Sequence, residues 1–391
     1  MLTGMKVLSF THFVQGPAAA QYLADMGADV IKIEPLTGAF ERGYSADNVF
    51  VGGVSSTFLS VNRNVRSIAV DLKSAEGKEV VRSLIGSADV ILENYRIGVM
   101  DRLGFGYEDV KALNDKIIYA SASGWGSRGP MATSPGQDLL AQARCGLMDV
   151  TGGDAAPTIV GTAIIDHHAA ALLAMAVCAA YSYRLQHGEG RLIESNLFSA
   201  GMDLQIESIA AFVNCSKDTG KIKRNKNLGS WFLPAPYGVY KLADCHAVIS
   251  NSGNVDRLVE LIGASGHAFE NIDRMADRDR FAELLADELQ SWTFERLDKV
   301  LAPHGFWYQR VQNYAELIED PQVKENDSLQ EVSINGAAAT LVAHPVRYDG
   351  KVPGLRHMSS RPGSDTSHTL SEAGWSEDSI NDLSDRNIIL K

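Results

Sequence analysis

The chain has 391 residues, of which 45% are hydrophobic and 21% are charged, and its formal net charge is -12 at pH 7. This composition is typical of a folded soluble protein, and the length predicts two domains, or one large domain with a smaller one inserted. The negative charge argues against nonspecific binding to nucleic acid, which needs a basic protein surface. An anionic ligand therefore requires a local cluster of basic residues.

The first third of the chain alternates strand and helix patterns. In chain order they are a strand over 6–10, a helix over 17–26 that begins at Pro17, strands over 29–34 and 67–72, a helix over 74–88, a strand over 89–94, a helix over 107–114 and a strand over 116–123. Short β-rich runs that alternate with helices indicate a parallel sheet covered on both faces, with right-handed crossovers. The predicted fold class is α/β, a doubly wound domain.

The pattern changes near residue 221. The basic, Asn-rich segment KIKRNKN leads into antiparallel strand patterns over 230–252 and then into helices over 254–265, 278–292 and 293–305. These patterns predict a smaller α+β domain at residues 221–320. The carboxyl-terminal part has the pattern of a strand and a long loop that return to the first domain. That domain is then expected to comprise residues 1–220 and 321–391.

We expect no targeting or membrane-spanning segment. The amino terminus, MLTGMKVLSF, lacks the long apolar stretch of a signal peptide. The longest charge-free apolar run, from after Asp166 to Tyr183, is shorter than a usual membrane span and predicts a buried helix. The four cysteines are widely spaced, without a C-x-x-C pair, and are expected to be reduced. A cytoplasmic location, with no binding to a membrane, is the expectation.

The segment GWGSRG, residues 124–129, matches the glycine pattern of dinucleotide-binding loops and follows a predicted strand. Pro130 and a further loop stand where the phosphate-binding helix of such a site must begin. The pattern therefore favours a loop that lines a ligand site over a nicotinamide or flavin site.

Asp166, His167 and His168 interrupt an otherwise apolar run. The triplet is similar to that of a class of metal-dependent phosphoesterases, but the further aspartate and histidine clusters that a metal needs are absent, so we expect no metal. Asp166 has two compatible interpretations. It is an N-cap of the following Ala-rich helix, or it is a carboxylate held ionised at the positive helix end and available as a nucleophile. The sequence leaves open whether the histidines contact a substrate.

Basic residues cluster in loops and at strand ends of the first third, although the whole chain is acidic. They are Arg42, Arg63, Arg66, Lys73, Arg96 and Arg102. At the carboxyl ends of strands in a doubly wound sheet such residues bind anionic ligands, whereas elsewhere they are ordinary surface charges. As a set they favour a phosphorylated ligand, with Tyr95 available to stack on a base.

Eight segments, in this order along the chain, resemble those of the class III CoA-transferases, the CaiB/BaiF family. They are FTHFVQGPAAAQYLADMGADVIKIEP, NRNVRSIAVDLKSAEGKEV, ADVILENYRIGVMDRLGFGYEDVKALN, SGWGSRGP, GQDLLAQARCGLMDVTG, VGTAIIDHHAA, APYGVY and EDPQV. The resemblance implies a Rossmann-like large domain, a small domain and a homodimer of two interlocked chains. It also implies that Asp166 is the catalytic nucleophile.

The same resemblance implies a coenzyme A site and no permanently bound cofactor or metal, with the CoA thioester as substrate and a carboxylic acid as its partner. The residues that match the CoA site are His12, Phe13, Val14, Gln15, Lys73, Asn94, Tyr95 and Arg102. At an ordinary pKa of about 4, Asp166 would be ionised and would attack the acyl-CoA carbonyl without a general base, giving an acyl-aspartyl anhydride. Backbone N–H groups after Asp166, or near Gln15 and Gly16, are expected to stabilise the oxyanion.

Two alternatives remain beside CoA transfer. The family includes α-methylacyl-CoA racemases, whose acid/base histidine lies in a G-H-D segment that is matched here by Gly136, Gln137 and Asp138. Glutamine cannot exchange the proton, which argues against a racemase unless His167 or His168 replaces it. Asp138 is then expected to orient the site or to bond to the substrate. The second alternative is an acyl-CoA-binding protein without catalytic activity.

Two further segments depart from the family pattern. A G-E-H-T-like segment near the carboxyl terminus is replaced by Gly-Ser-Asp-Thr at residues 363–366, and the glycine-rich flap of the formyl-CoA transferases has no counterpart in NKNLGSWFLPAP. These departures argue against formyl or oxalyl exchange. Trp231 and Phe232 in the second segment favour a bulkier or less polar acyl group.

Overall fold

The structure of the protein is a computed structural model. The structure describes residues 1–153, 156–215, 220, 222–250, 254–263 and 266–391. The chain forms two compact units. The first comprises Met1–Ala141, Ala163–Leu204 and Pro321–Lys391, and the second comprises Gln142–Thr162 and Gln205–Asp320.

Both units combine strands and helices. In chain order, the strands of the described residues are β1 (Lys6–Phe10), β2 (Asp29–Glu34), β3 (Phe50–Val51), β4 (Val54–Ser55), β5 (Val65–Val70), β6 (Val90–Glu93), β7 (Ile118–Ser123), β8 (Leu192–Asn196), β9 (Gly238–Lys241), β10 (His246–Ile249), β11 (Tyr308–Arg310), β12 (Leu329–Ile334), β13 (Ala337–Val342) and β14 (Ile389–Leu390). The α-helices are α1 (Gln15–Asp25), α2 (Phe40–Gly43), α3 (Ser56–Val61), α4 (Ala75–Ile85), α5 (Val99–Leu103), α6 (Tyr107–Leu113), α7 (Asp138–Arg144), α8 (Leu147–Val150), α9 (Ile164–His187), α10 (Leu197–Asp203), α11 (Ile206–Asn214), α12 (Val255–Ile262), α13 (Gly266–Phe269), α14 (Arg278–Leu289), α15 (Phe294–Leu301), α16 (Tyr314–Glu319), α17 (Pro321–Glu325), α18 (Thr366–Glu372) and α19 (Glu377–Asp385). Short 3-10 helices lie at Ala46–Asn48 and Ala302–His304.

The first unit contains a seven-stranded sheet in the order β14-β5-β2-β1-β6-β7-β8. The six strands from β5 to β8 in this order are parallel, and only β14 runs antiparallel, on β5. The order of the parallel strands is that of a Rossmann fold. The predicted α/β class is confirmed, and the strands of the first third lie where the sequence predicts them, with small shifts at their ends. Helix α1 begins at Gln15, so Pro17 is its third residue rather than its first.

Two hydrophobic layers cover the sheet because its strands alternate residues between the two faces. On one face Leu8, Ile31 and Ile91 pack with α4, α18 and α19. On the other face Val7 and Val30 pack with α1 and α9. The sheet is therefore buried on both sides, as its near-continuous apolar strands require.

Helix α9 carries the apolar run of the sequence and is longer than expected, at 24 residues. Within the described ranges it is the one helix long and apolar enough to cross a membrane, by length and composition alone. Its buried residues, among them Ala169, Leu173 and Val177, pack in the core against α1. Its outer face exposes Met175 and Leu185.

The carboxyl-terminal segment returns to the sheet of the first unit, as predicted. Residues 389 and 390 of β14 pair with β5, and the carboxylate of Asp365 accepts the backbone N–H of Ser67 at 2.8 Å. The hydroxyl of Ser359 donates to the same Asp365 oxygen at 2.7 Å. These bonds attach the returning chain to β5.

The second unit contains an antiparallel sheet in the order β11-β10-β9, packed against α12, α14 and α15. Its range differs from the predicted 221–320, because it starts at Gln205 and also contains Gln142–Thr162. Hydrogen bonds explain the difference: Arg224 donates to the carbonyl of Thr151 at 3.2 Å, and Gln205 donates to the carbonyl of Cys145 at 3.2 Å. The predicted start, residue 221, lies outside the described residues. The end of the unit at Asp320 is the same in the predicted range and in the structure.

Candidate active site

The order of the parallel sheet reverses between β1 and β6. The chain passes from β1 to β2 on one side, whereas β6 lies on the other side of β1. At such a switch point the carboxyl ends of the strands leave a crevice in which ligands bind. The loop after β1 and the loop after β6 both lie at this edge. Helices α1 and α9 begin at the same edge, because each crosses back before a parallel strand.

His12 joins the loop after β1 to the loop after β6. Its backbone N–H donates to Asn94 Oδ1 at 2.9 Å, and Asn94 Nδ2 donates to the carbonyl of His12 at 2.9 Å. The His12 ring stacks on Tyr95, with centroids 5.2 Å apart and an interplanar angle of 25°. Burial lowers the pKa of His12 from its usual range, which favours the neutral ring. Three residues that the sequence assigned to the CoA site therefore contact one another.

The start of α1 supplies free backbone donors at this edge. Val14 is the N-cap residue and its side chain accepts no bond from the helix. The hydrogen bonds of the described residues leave the N–H groups of Gln15 and Gly16 without an acceptor, as expected in a first helical turn. Gln15 is 5% exposed and its Nε2 has no hydrogen-bond partner in the described structure. This group of donors is suited to an anionic or carbonyl oxygen.

The basic residues divide into two groups. Arg42 binds Glu34, Arg63 binds Asp25 and Arg66 binds Asp29, with the closest N–O distance in each pair between 2.6 and 2.7 Å. These three arginines are thus neutralised by carboxylates within the fold. The prediction that all six basic residues form one anion-binding set is therefore wrong for Arg42, Arg63 and Arg66. Lys73, Arg96 and Arg102 are exposed and lie in the segments that follow β5 and β6.

Asp138 and Asp166 form the second part of the site. Asp138 Oδ2 accepts the backbone N–H of Ile165 at 2.8 Å and that of Asp166 at 3.0 Å. Helix α9 begins at Ile164, and its N-cap residue, Ala163, has no capping side chain. The interpretation of Asp166 as the N-cap is therefore wrong. Asp138 caps the helix instead, and the Asp166 side chain takes no part in the cap.

The ionisation of Asp166 differs from the sequence-based expectation. Burial raises its pKa to about 7, and the negative charge of Asp138 adds to the shift. The assumption of an ordinary pKa near 4 is wrong in this environment. At neutral pH the carboxyl group is present in both protonation states, and the ionised form increases as the pH rises.

The glycine-rich loop after β7 brings Asp138 to this place. A Cβ on Gly124 would lie 2.6 Å from the Cα of Gly136, so the two ends of the loop touch and neither position accepts a larger residue. Trp125 Nε1 closes the loop by donating to the carbonyl of Pro135 at 3.0 Å. Gln137, the residue before Asp138, is exposed. The loop thus follows a strand without forming the start of a phosphate-binding helix.

The two histidines after Asp166 have different environments. His168 Nε2 lies 2.8 Å from Asp203 Oδ2, in α10. Because residues two positions apart in an α-helix are about 200° apart around its axis, His168 lies on the opposite side of α9 from Asp166. His167 is exposed beside the helix start. Within the described ranges no group of three His, Cys, Asp or Glu side chains is placed to hold a metal.

Glu93, at the end of β6, is a further residue of this edge that was not predicted from the sequence. Its side chain is 5% exposed, accepts the backbone N–H of Tyr95 at 2.9 Å, and has a pKa that burial raises to about 7. The sequence did contain a signal for this residue. Glu93 is a carboxylate that directly follows the apolar residues of DVILEN, just as Asp166 directly follows an apolar run. Glu93 thus holds the backbone of Tyr95 in place through this hydrogen bond.

Known proteins are similar to this chain over most of its length. A probable fatty acyl-CoA transferase of Mycobacterium tuberculosis is 29% identical over 364 residues, covering 89% of this chain and 91% of that protein. A human succinyl-CoA:glutarate CoA-transferase is 30% identical over 388 residues, covering 95% of this chain and 85% of that protein. The crystal structure of a CaiB/BaiF family protein from Brucella suis superposes with a TM-score of 0.81 at 29% identity, covering 95% and 99% of the two chains.

The family model of CoA-transferase family III matches residues 2–366. This range contains the loops after β1 and β6, the start of α1 and the pair Asp138 and Asp166. The chain belongs to CoA-transferase family III, the CaiB/BaiF family, and is a CoA-transferase.

Proposed function

We propose that this protein moves coenzyme A from an acyl-CoA thioester to a free carboxylic acid, with Asp166 as the nucleophile. The observation that carries the proposal is the position of Asp166: a carboxylate in the first turn of a buried helix, at the ligand-binding edge of the sheet, with its backbone held by Asp138. A desolvated carboxylate whose backbone is held in this way is a reactive nucleophile once it is ionised.

The exchange needs no net proton. An oxygen of Asp166 attacks the thioester carbon, the C–S bond breaks and CoA leaves as a thiolate, which gives an acyl-aspartyl anhydride. The thiolate attacks the aspartyl carbon and releases the first carboxylate, which gives an aspartyl-CoA thioester. The acceptor carboxylate attacks the aspartyl carbon of this thioester and displaces the CoA thiolate, which gives a second anhydride. The thiolate then attacks the acceptor carbonyl, which gives the new acyl-CoA and restores Asp166.

The developing oxyanion requires hydrogen-bond donors. The N–H groups of Ile165 and Asp166 are occupied by Asp138, which excludes them from this role in the present arrangement. The free N–H groups of Gln15 and Gly16 are better suited, and one such donor contributes about 3 kcal/mol in other enzymes. The anhydride must also be protected from water, and the burial around Asp166 supports that protection.

The coenzyme is assigned to the switch-point crevice. In this proposal the contacts of His12, Asn94 and Tyr95 form the nucleotide-binding surface, the loop at Phe13 and Val14 borders it, and Gln15 faces the thioester. Lys73 and Arg102 bind phosphates, because both are exposed cations after strands of the same edge. Gln137 and Asp138 support the reacting centre. No metal or permanent cofactor takes part.

We also propose that the enzyme is an interlocked homodimer in the cytoplasm. The exposed apolar residues of the described surface, such as Met175, Leu185 and Ile206, support an association between chains. Sedimentation and chemical crosslinking of the purified protein test the dimer. A monomer at micromolar concentration contradicts it.

The exchange is tested with Asp166→Ala and the isosteric Asp166→Asn. Both variants are expected to lose exchange activity while they still bind CoA, and mass spectrometry of the wild type with acyl-CoA is expected to detect an adduct on Asp166. Asp203→Asn, which alters the partner of His168 on the opposite side of α9, is the matched control. Substantial activity in Asp166→Ala contradicts the proposal.

The same assay separates the alternatives when it is run in deuterated water. A racemase incorporates deuterium at the α-carbon of a 2-methylacyl-CoA without any acceptor acid. A binding protein without catalytic activity gives saturable CoA binding and no adduct. The transferase produces the acceptor's CoA ester and leaves the α-carbon unlabelled.

A further inference from the structure

Three aromatic side chains form an exposed surface beside the loop after β1. Phe13, Phe40 and Tyr44, which we name the aromatic shelf, are 49%, 62% and 51% exposed. The ring centroids of Phe13 and Phe40 are 5.6 Å apart, and those of Phe40 and Tyr44 are 5.5 Å apart with nearly parallel rings. Neighbouring aromatic rings at the surface of a soluble protein indicate a binding surface.

The aromatic shelf is continuous with the surface assigned to the coenzyme. The ring of Phe13 lies 5.0 Å from that of His12, which stacks on Tyr95. Contacts between rings therefore run without a gap from the loop after β6 to the end of α2. A molecule whose nucleotide lies at Tyr95 can place another apolar part on Phe40 and Tyr44.

Buried ion pairs hold the short helix α2, which contains Phe40 and ends just before Tyr44. Arg42 binds both oxygens of Glu34 at 2.7 Å, and Lys32 binds Glu41 at 3.0 Å with both side chains almost fully buried. Burying such pairs is energetically unfavourable compared with burying apolar groups. Phe13 adopts a left-handed backbone conformation, with φ at 59°, which is disfavoured for a bulky residue. Costly features of this kind are typical of functional surfaces.

The charges beside the shelf favour an uncharged ligand group. Lys32 and Arg42, whose ion pairs hold α2, are each already neutralised by a glutamate. Arg96 is exposed, but it follows Tyr95 at the other end of the series of rings. These ion pairs therefore leave neither Lys32 nor Arg42 for the second carboxylate of a dicarboxylic acyl group, whereas the exposed rings offer it an apolar surface.

We propose that the aromatic shelf is the acyl-group subsite and that the enzyme prefers an acyl group with an aromatic ring or a medium-length alkyl chain over a short dicarboxylic one. This inference rests on the proposed function, because it assigns the substrate class of the same exchange. It is independent of Trp231, whose side chain is buried within the second unit and donates to Ser208 at 2.8 Å.

The test compares hexanoyl-CoA, phenylacetyl-CoA, acetyl-CoA and succinyl-CoA as donors to one acceptor acid. The wild type is expected to have a kcat/KM about tenfold higher for the first two than for succinyl-CoA. In the double variant Phe40→Ala/Tyr44→Ala, the ratio of kcat/KM for hexanoyl-CoA to that for acetyl-CoA is expected to fall about tenfold, since the apolar contact area is lost. Tyr314→Ala removes an aromatic ring that is 82% exposed in the second unit and is the matched control.

A preference for succinyl-CoA overturns the inference, as does an unchanged ratio in the double variant. If the double variant changes only the oligomeric state, measured by sedimentation, the shelf is a contact surface for a second copy of the chain. That result also overturns the inference. The absence of exchange with all four donors is instead a failure of the proposed function. In that case equilibrium binding decides: tighter binding of hexanoyl-CoA than of acetyl-CoA, lost in the double variant, supports the shelf, and equal binding overturns it.

Discussion

Asp138 caps the helix that carries Asp166. One oxygen of the Asp138 carboxylate accepts the backbone N–H groups of Ile165 and Asp166, at 2.8 and 3.0 Å. A carboxylate in this position is favoured by the positive end of the helix. The same negative charge adds to the burial that raises the pKa of Asp166 to about 7. Asp138 thus stabilises the helix start and makes the neighbouring carboxyl group harder to ionise.

The first prediction separates these two effects of Asp138. Asp138→Asn keeps an acceptor oxygen for the helix but removes the charge, so the pKa of Asp166 falls. Because the nucleophile is the ionised form, the acid limb of kcat/KM, centred near pH 7 in the wild type, is expected to move to lower pH. Asp138→Ala removes the cap as well and is expected to lower the free energy of unfolding by about 1 kcal/mol. Asp203→Asn is the control, and an identical limb in Asp138→Asn contradicts the prediction.

The second prediction concerns stability against pH. Asp166 has a pKa of about 7 in the folded chain and about 3.8 when unfolded, so its contribution is fully present below pH 3.8 and is lost as the pH rises through 7. Asp166→Asn does not titrate. We expect it to be about 2–4 kcal/mol more stable than the wild type at pH 8, since one pK unit corresponds to about 1.4 kcal/mol, and the gain to vanish near pH 4. Urea unfolding at both pH values measures it, and a gain independent of pH refutes it.

The sheet was predictable because its strands are short apolar runs that alternate with helices. KVLSF, DVIKIE and DVILEN became β1, β2 and β6 with little change at their ends. Asp166 was predictable for a different reason, since a carboxylate in an apolar run needs an explanation. The resemblance to a family then favoured the nucleophile over the cap, and the family match agrees with that resemblance.

Pairings between distant residues were not predictable from one sequence. The cap of α9 comes from Asp138, which is 28 residues before Asp166. Likewise Arg63 is neutralised by Asp25, 38 residues away, and Arg66 by Asp29, 37 residues away. Each arginine looked available for an anion because local patterns do not show which carboxylate the fold places beside it. The pKa expected for Asp166 from the sequence was wrong for the same reason, because its burial and its distance from the charge of Asp138 depend on the tertiary structure.

The third prediction concerns Gly16, at the start of α1. A Cβ at this position would lie 2.6 Å from Thr11 Cγ2 and 2.9 Å from Asn94 Cγ. Gly16→Ala is therefore expected to displace Asn94, to break its two hydrogen bonds with His12 and to cost about 1–3 kcal/mol in unfolding free energy. Calorimetry is expected to show CoA binding weakened about thirtyfold, since two bonds of about 1 kcal/mol each are affected and 1.4 kcal/mol corresponds to about tenfold. Gly354→Ala, at a position with no atom near the new Cβ, is the control. Normal CoA affinity in Gly16→Ala contradicts the prediction.

The fourth prediction concerns the buried pair of Lys32 and Glu41 beneath the aromatic shelf. The two side chains are 2% and 0% exposed, and Glu41 Oε2 has no hydrogen-bond partner in the described structure. Lys32→Met leaves the Glu41 carboxylate buried without a counter-ion, which is expected to cost about 3–5 kcal/mol of unfolding free energy. The double variant Lys32→Met/Glu41→Leu removes both charges, together with the unpartnered oxygen.

We expect this double variant to recover most of that loss, because desolvating the two ions offsets much of their attraction. Urea unfolding of the wild type, both single variants and the double variant gives the coupling energy directly. A double variant as unstable as Lys32→Met would show that the bond from Lys32 Nζ to the carbonyl of Thr11, at 2.8 Å, dominates instead. Since this carbonyl begins the loop that contains His12 and Phe13, CoA affinity is then expected to fall in every variant that lacks Lys32.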